Sequence, residues 1–215
     1  MEAASYAQPV PTARTPALFA QVMALVALTV GVATLGVFAA RNAGGALWFF
    51  AWLASLACLV GLNVASSRGN TGAALALLLA FGFLMGASVA TTVNYYSRTD
   101  PAAVRQAFGA TALFVGGLGA GGYAIRKDLS FLYRALFWLL LALIAAGIVL
   151  IFVHIPGAYT AYAFVGLAIF ALYTVVDFNR LRRAGRNEAI PLAAGIFLDI
   201  LNVFLLFLRL FGSSE

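Results

Sequence analysis

The chain has 215 residues, of which 64% are hydrophobic and 9% charged. Soluble domains carry roughly 25% charged residues, so this composition excludes an ordinary soluble domain and a disordered chain. Thirteen basic residues against seven acidic ones leave a net charge of +6. The basic residues sit between long apolar runs and do not interleave with aromatics on a polar face. The charge therefore reads as a topology signal, and no nucleic-acid partner is expected. A single cysteine, Cys58, excludes an internal disulfide and a cysteine-built zinc site. The preference for Arg over Lys, with abundant Ala and Gly, points to a bacterial gene and hence to a bacterial inner (plasma) membrane.

Residues 1–16 are polar and contain Pro9, Pro11 and Pro16, which predicts a short disordered cytoplasmic tail. Seven apolar runs then approach or exceed the ~20 residues that a spanning helix needs. They cover residues 17–40, 47–66, 72–95, 105–125, 131–153, 158–178 and 190–211, with a C-terminal tail over 212–215. Their length and lack of alternation predict helices, not barrel strands. The first run is too long for a signal-peptide core and lacks a basic cluster before it, so it is expected to be retained. With the N-terminus in the cytoplasm, Arg14, Arg68, Arg126, Lys127, Arg134, Arg180, Arg182, Arg183 and Arg186 fall inside. Arg41, Arg98, Arg105 and Arg209 fall outside, and this excess favours that orientation. The fourth run holds Gly116, Gly117, Gly119, Gly121 and Gly122, with Gly117 and Gly121 at GxxxG spacing, and predicts close helix packing.

Ionisable groups inside a bilayer are costly and point to function. Only Asp177 and Asp199 lie within apolar runs. Each is eleven residues from Glu188 in the basic linker, so a hairpin of the last two helices brings both to a similar depth. Gly195, Asp199, Asn202 and Arg209 follow helical steps along one face of the seventh run, and Tyr173, Thr174 and Asp177 share a face of the sixth. Two carboxylates in contact in a low dielectric cannot both ionise cheaply and titrate as a unit. Deprotonated, they offer hard oxygen ligands of the kind that suits Ca²⁺. Arg68, at the end of the second run, is placed to neutralise the pair. A purely structural reading has Asp177 capping a helix end against Arg180.

The second half of the chain resembles the Bax inhibitor-1 family, the transmembrane Bax-inhibitor-motif proteins. Four motifs carry the resemblance in order. They are Arg105-Gln106-Ala107-Phe108 with Thr111 and Phe114; Arg126-Lys127-Asp128-Leu129-Ser130; Phe170 to Asp177; and Phe197-Leu198-Asp199-Ile200-Leu201-Asn202-Val203-Phe204 with Leu208-Arg209. The first half matches mainly in hydropathy. The resemblance implies an all-α polytopic membrane protein, with six helices around a central seventh, and a pH-sensitive calcium leak through the bundle. It also implies that Asp177 and Asp199 are the pH-sensing pair, with Ca²⁺ as the transported ion and no tightly bound cofactor, and that Arg68 is a latch. Tyr173, Asn202 and Arg209 are the further candidates for lining the path. One position departs from the family: Met85 stands where many members carry a Glu before a Gly in the third span.

Two other readings compete. A non-conducting regulator of a membrane protease or channel would have a membrane-protein partner, which the basic linker Arg180 to Arg186 could dock. An intramembrane aspartyl protease needs two such aspartates, but the contexts Val176-Asp177 and Leu198-Asp199 lack the Tyr-Asp and Gly-x-Gly-Asp patterns. A serine protease is not indicated, because Ser88 lacks the surrounding motif. The only histidine, His154, is expected at the outer end of the fifth run.

Overall fold

A computed structural model describes residues 14–43, 46–153 and 155–212. His154, Pro9 and Pro11 lie outside the described residues. Among the described residues, seven α-helices are long and apolar enough to cross a membrane. They are α1 (Arg14–Ala39), α2 (Leu47–Ser67), α3 (Thr71–Thr99), α4 (Pro101–Ala124), α5 (Tyr133–Phe152), α6 (Ala158–Leu181) and α7 (Ala189–Gly212). Short 3-10 turns, Ser130–Leu132 and Arg186–Glu188, precede α5 and α7.

The ends of these helices follow from local sequence. Gly69 has φ +73° just after α2. The Gly69 N–H reaches the Ser66 carbonyl and the Asn70 N–H the Ala65 carbonyl, the paired bonds that close a helix at a left-handed glycine. Asn70 then caps α3 by accepting from the Ala73 N–H at 3.0 Å. Asp100 does the same for α4 through the Ala103 N–H at 2.9 Å, and Pro101 fills the first helical position. This cap starts α4 four residues before the apolar run alone predicts. At the other end of the chain, α1 begins at Arg14, so the disordered tail expected over 1–16 is too long by three residues. Pro16 falls in the first turn, where its missing N–H costs nothing.

α7 is the centre. It packs against α1, α2, α3, α4 and α6, and more than half of its most apolar stretch is buried. Of the surrounding helices, α5 packs chiefly on α6. The core runs from Leu62, Leu78 and Phe81 of α2 and α3 to Ile196, Phe197 and Val203 of α7, with Phe81 and Phe197 in an edge contact at 5.7 Å.

Glycines set the closest approaches, and the fourth span needs a correction. A Cβ on Gly122 would meet the backbone of Val175, and one on Gly119 the ring of Phe178, so these two seat α4 on α6. Gly117 and Gly121, the pair at GxxxG spacing, face open space, as does Gly116. In α3, Gly82 and Gly86 give the same close approach to Thr29 and Ala33 of α1.

Candidate functional site

Asp177 and Asp199 are 7% and 3% exposed. They meet across the α6–α7 contact, within electrostatic reach of each other. Gly195, one turn before Asp199, makes this possible: a Cβ there would lie 2.7 Å from Asp177 Oδ2. The carboxylate of α6 therefore rests against the bare backbone of α7. Tyr133, the first residue of α5, donates its phenol O–H to Asp177 Oδ1 at 2.5 Å. Asp199 Oδ2 is buried with no hydrogen-bond partner among the described residues. Thr174 stands beside the Asp199 carboxyl and also bonds back to the Phe170 carbonyl at 2.8 Å. Tyr173, half-buried, lies within reach of both carboxylates.

The other candidates are dispersed. Arg68 is exposed just beyond the last residue of α2, where a cation suits the carbonyl end of a helix. Among the described residues no ion pair joins it to either aspartate. Asn202 donates to the Leu198 carbonyl of its own helix at 2.8 Å. Arg209 lies ten residues beyond Asp199, about 15 Å along the helix, and its guanidinium stacks 4.1 Å over the Tyr159 ring. Met85 is buried, and the Ser55 hydroxyl donates to its sulfur at 3.1 Å. Ser88 donates to the Met85 carbonyl of its own helix.

Arg180 is close enough to act on Asp177, yet its guanidinium makes two bonds to Glu188 Oε2, at 3.0 and 2.7 Å. The rest of the basic linker folds back on the α4–α5 loop. Arg183 bonds to Asp128 Oδ1 at 2.7 Å and to the Lys127 carbonyl at 3.3 Å, and Arg182 reaches the Ala124 carbonyl at 3.4 Å. Asp128 is held below the usual carboxylate range by the Ser130 backbone N–H first, then by the Ser130 hydroxyl, with a smaller part from Arg183.

Sequence reasoning missed Asn179, which is fully buried two residues after Asp177. Its Nδ2 donates to the carbonyls of Gly122, Ile125 and Lys127, and its Oδ1 accepts from the Leu129 N–H and from Arg183. The last carbonyls of a helix have no partner within it. One amide thus closes the end of α4, fixes the loop and holds α6 in register. The Lys-Asp-Leu-Ser loop was visible in the sequence, but the residue that grips it lies about 50 positions away.

The family described as Inhibitor of apoptosis-promoting Bax1 matches this chain over residues 15–215. The chain belongs to the Bax inhibitor-1 family. An uncharacterized protein of Deinococcus radiodurans is 30% identical over 203 residues, covering 88% of this chain and 85% of its own. The inner membrane protein YbhL of Escherichia coli is 25% identical over 174 residues, covering 76% of this chain and 73% of its own. An uncharacterized membrane protein of Vibrio cholerae is 30% identical over 145 residues, 66% of this chain and 65% of its own. This Bax inhibitor-1 family chain is accordingly an integral membrane protein with bacterial inner-membrane relatives.

Proposed function

We propose that this protein is a pH-gated cation leak, with Ca²⁺ as the ion and the Asp177–Asp199 pair as sensor and ligand. One observation carries the reading: two carboxylates are buried together between α6 and the central α7, and one oxygen, Asp199 Oδ2, has no partner among the described residues. A buried orphan acceptor is costly unless it serves a proton or an ion. The groups facing the pair are Tyr133 from α5, Tyr173, Thr174 and Arg180 from α6, and the backbone at Gly195. Two carboxylates fall short of the roughly six to eight oxygens of a resident Ca²⁺ site. That shortfall suits an ion in passage, completed by water. Protonation removes the pair's charge and so shifts the balance between two packings of the bundle. In this reading Arg68 latches the pair in a packing other than the one described, and Asn202 and Tyr173 line the path.

The test is Ca²⁺ flux into proteoliposomes across pH ~5 to 8, the range of physiological pH switches, for the wild type, Asp177→Asn and Asp199→Asn. The expected result is a protein-dependent flux whose pH profile shifts in both variants. An unchanged profile in the double variant removes the pair as sensor.

A second reading, a non-conducting membrane regulator, is favoured by Met85. Its thioether puts a buried Ser–Met contact at the third-span position where the family resemblance implies an acid. Flux that appears only in Met85→Glu would select it.

A further inference from the structure

We infer that the protein binds one anionic phospholipid in a lateral cleft between α1 and α4, separate from the aspartate pair. The cleft has α3 on one side and α7 as its floor, with a volume of about 530 Å³. Sites of about 300–1,000 Å³ hold small ligands. A second hollow of about 620 Å³ continues it, because the two share Val115, Gly116 and Ile200. That hollow is lined by Phe19 and Tyr123, whose rings meet at 5.2 Å where α1 and α4 approach each other. The result is a long apolar slot at membrane depth, beside a helix face that Gly116 leaves bare.

The opposite end of the slot is cationic. Phe108, Ala112 and Gly116 line the α4 wall, and one turn earlier the same stripe carries Arg105, in steps of three, four and four. Val30, Thr34 and Val37 line the α1 wall, and Arg41 follows in the turn just beyond the end of α1. Both arginines are exposed, and neither belongs to an ion pair among the described residues. Arg41 only stacks on the Phe38 ring, at 4.0 Å. An apolar slot ending at two arginines matches an acyl chain with a phosphate at its head. It does not match an ion, because the lining is apolar apart from Thr34 and Thr111, whose hydroxyls bond to carbonyls of their own helices.

Native mass spectrometry of the detergent-purified protein tests this, with added dioleoyl phosphatidylglycerol or dioleoyl phosphatidylcholine. The expected result is one retained phosphatidylglycerol, in clear preference to phosphatidylcholine. Each arginine is worth about fivefold in retention. Arg41→Gln with Arg105→Gln therefore brings phosphatidylglycerol down to the phosphatidylcholine level, and Ala112→Trp, which fills the slot, lowers both. Arg126→Gln with Lys127→Gln, at the other end of the bundle, leaves retention unchanged. Thermal unfolding of each variant confirms that it is folded. Equal loss in the Arg126/Lys127 variant, no loss in the Arg41/Arg105 variant, or a protein dimer in place of the lipid adduct that Ala112→Trp abolishes would overturn the assignment.

Discussion

Asn179 is the residue on which the cytoplasm-facing loops of the proposed topology depend, and its chemistry makes a sharp prediction. Leucine at this position keeps the branched shape but removes every donor and acceptor. The carbonyls of Gly122, Ile125 and Lys127 and the Leu129 N–H then lose their side-chain partner. One orphaned buried polar group costs about 1–3 kcal/mol, so Asn179→Leu is expected to lower stability by at least that much in reversible unfolding from mixed micelles. Asn179→Asp restores the acceptor only and should be intermediate or worse, because three carbonyls face a side chain without N–H. A variant as stable as the wild type would mean that water replaces the amide and that the clamp is incidental. The burial of Asp177 and Asp199 between the last two helices was legible in the sequence, because an acid inside an apolar run turns towards the bundle interior and not towards lipid. Asn179 was not, since an Asn near the polar end of a helix reads as surface. Tyr133 was not either, since an aromatic at the start of a span reads as an interface anchor. What gives each of them its role is a partner 44 to 57 residues away, and no local pattern encodes that distance.

At the scale of the helix, packing inside a membrane is a matter of close approach, because lipid tails are as apolar as side chains. The spans themselves were legible to within a few residues, since length and hydropathy decide them. Which face of a span packs was not. α4 carries glycines around much of its circumference, and spacing alone favoured Gly117 and Gly121, whereas the contacts fall on Gly119 and Gly122. The gripping pair is chosen by the register of α6, where Val175 and Phe178 approach. A paired substitution tests this. Gly122→Ala drives a methyl into the Val175 backbone, and overpacking of that kind costs about 1–3 kcal/mol. Gly117→Ala enters open space and should be neutral or slightly stabilising, as Ala exceeds Gly in helix propensity by up to about 1 kcal/mol. Unfolding of the two variants in mixed micelles separates the faces, and equal effects would refute the assignment. The same logic explains α5. It is the most apolar span and, with α2, the least buried. Hydropathy in a bilayer marks exposure to lipid at least as much as it marks the core.

Across the whole molecule, side-chain bonds tie the loops into two distinct ends. At one end the Ser66 hydroxyl reaches the Asn187 carbonyl, Arg183 bonds to Asp128, and Arg180 pairs with Glu188. At the other, Asn94 donates to the Arg41 carbonyl and Arg209 covers Tyr159. The first end gathers Arg68, Arg126, Lys127, Arg134, Arg180, Arg182 and Arg183, and the second Arg41, Arg98, Arg105 and Arg209. Basic residues in short loops are retained on the cytoplasmic side, so the first end should face the cytoplasm and the aspartate pair should open towards it. Replacing Cys58 by Ser gives a cysteine-free background in which single cysteines report sidedness. Lys127→Cys should react with a membrane-impermeant maleimide only in inside-out vesicles, and Arg98→Cys only in intact cells. The reverse pattern would turn the molecule over. Protons would then reach Asp177 and Asp199 from outside the cell, and any gating by the pair would respond to the medium instead of to cytoplasmic pH.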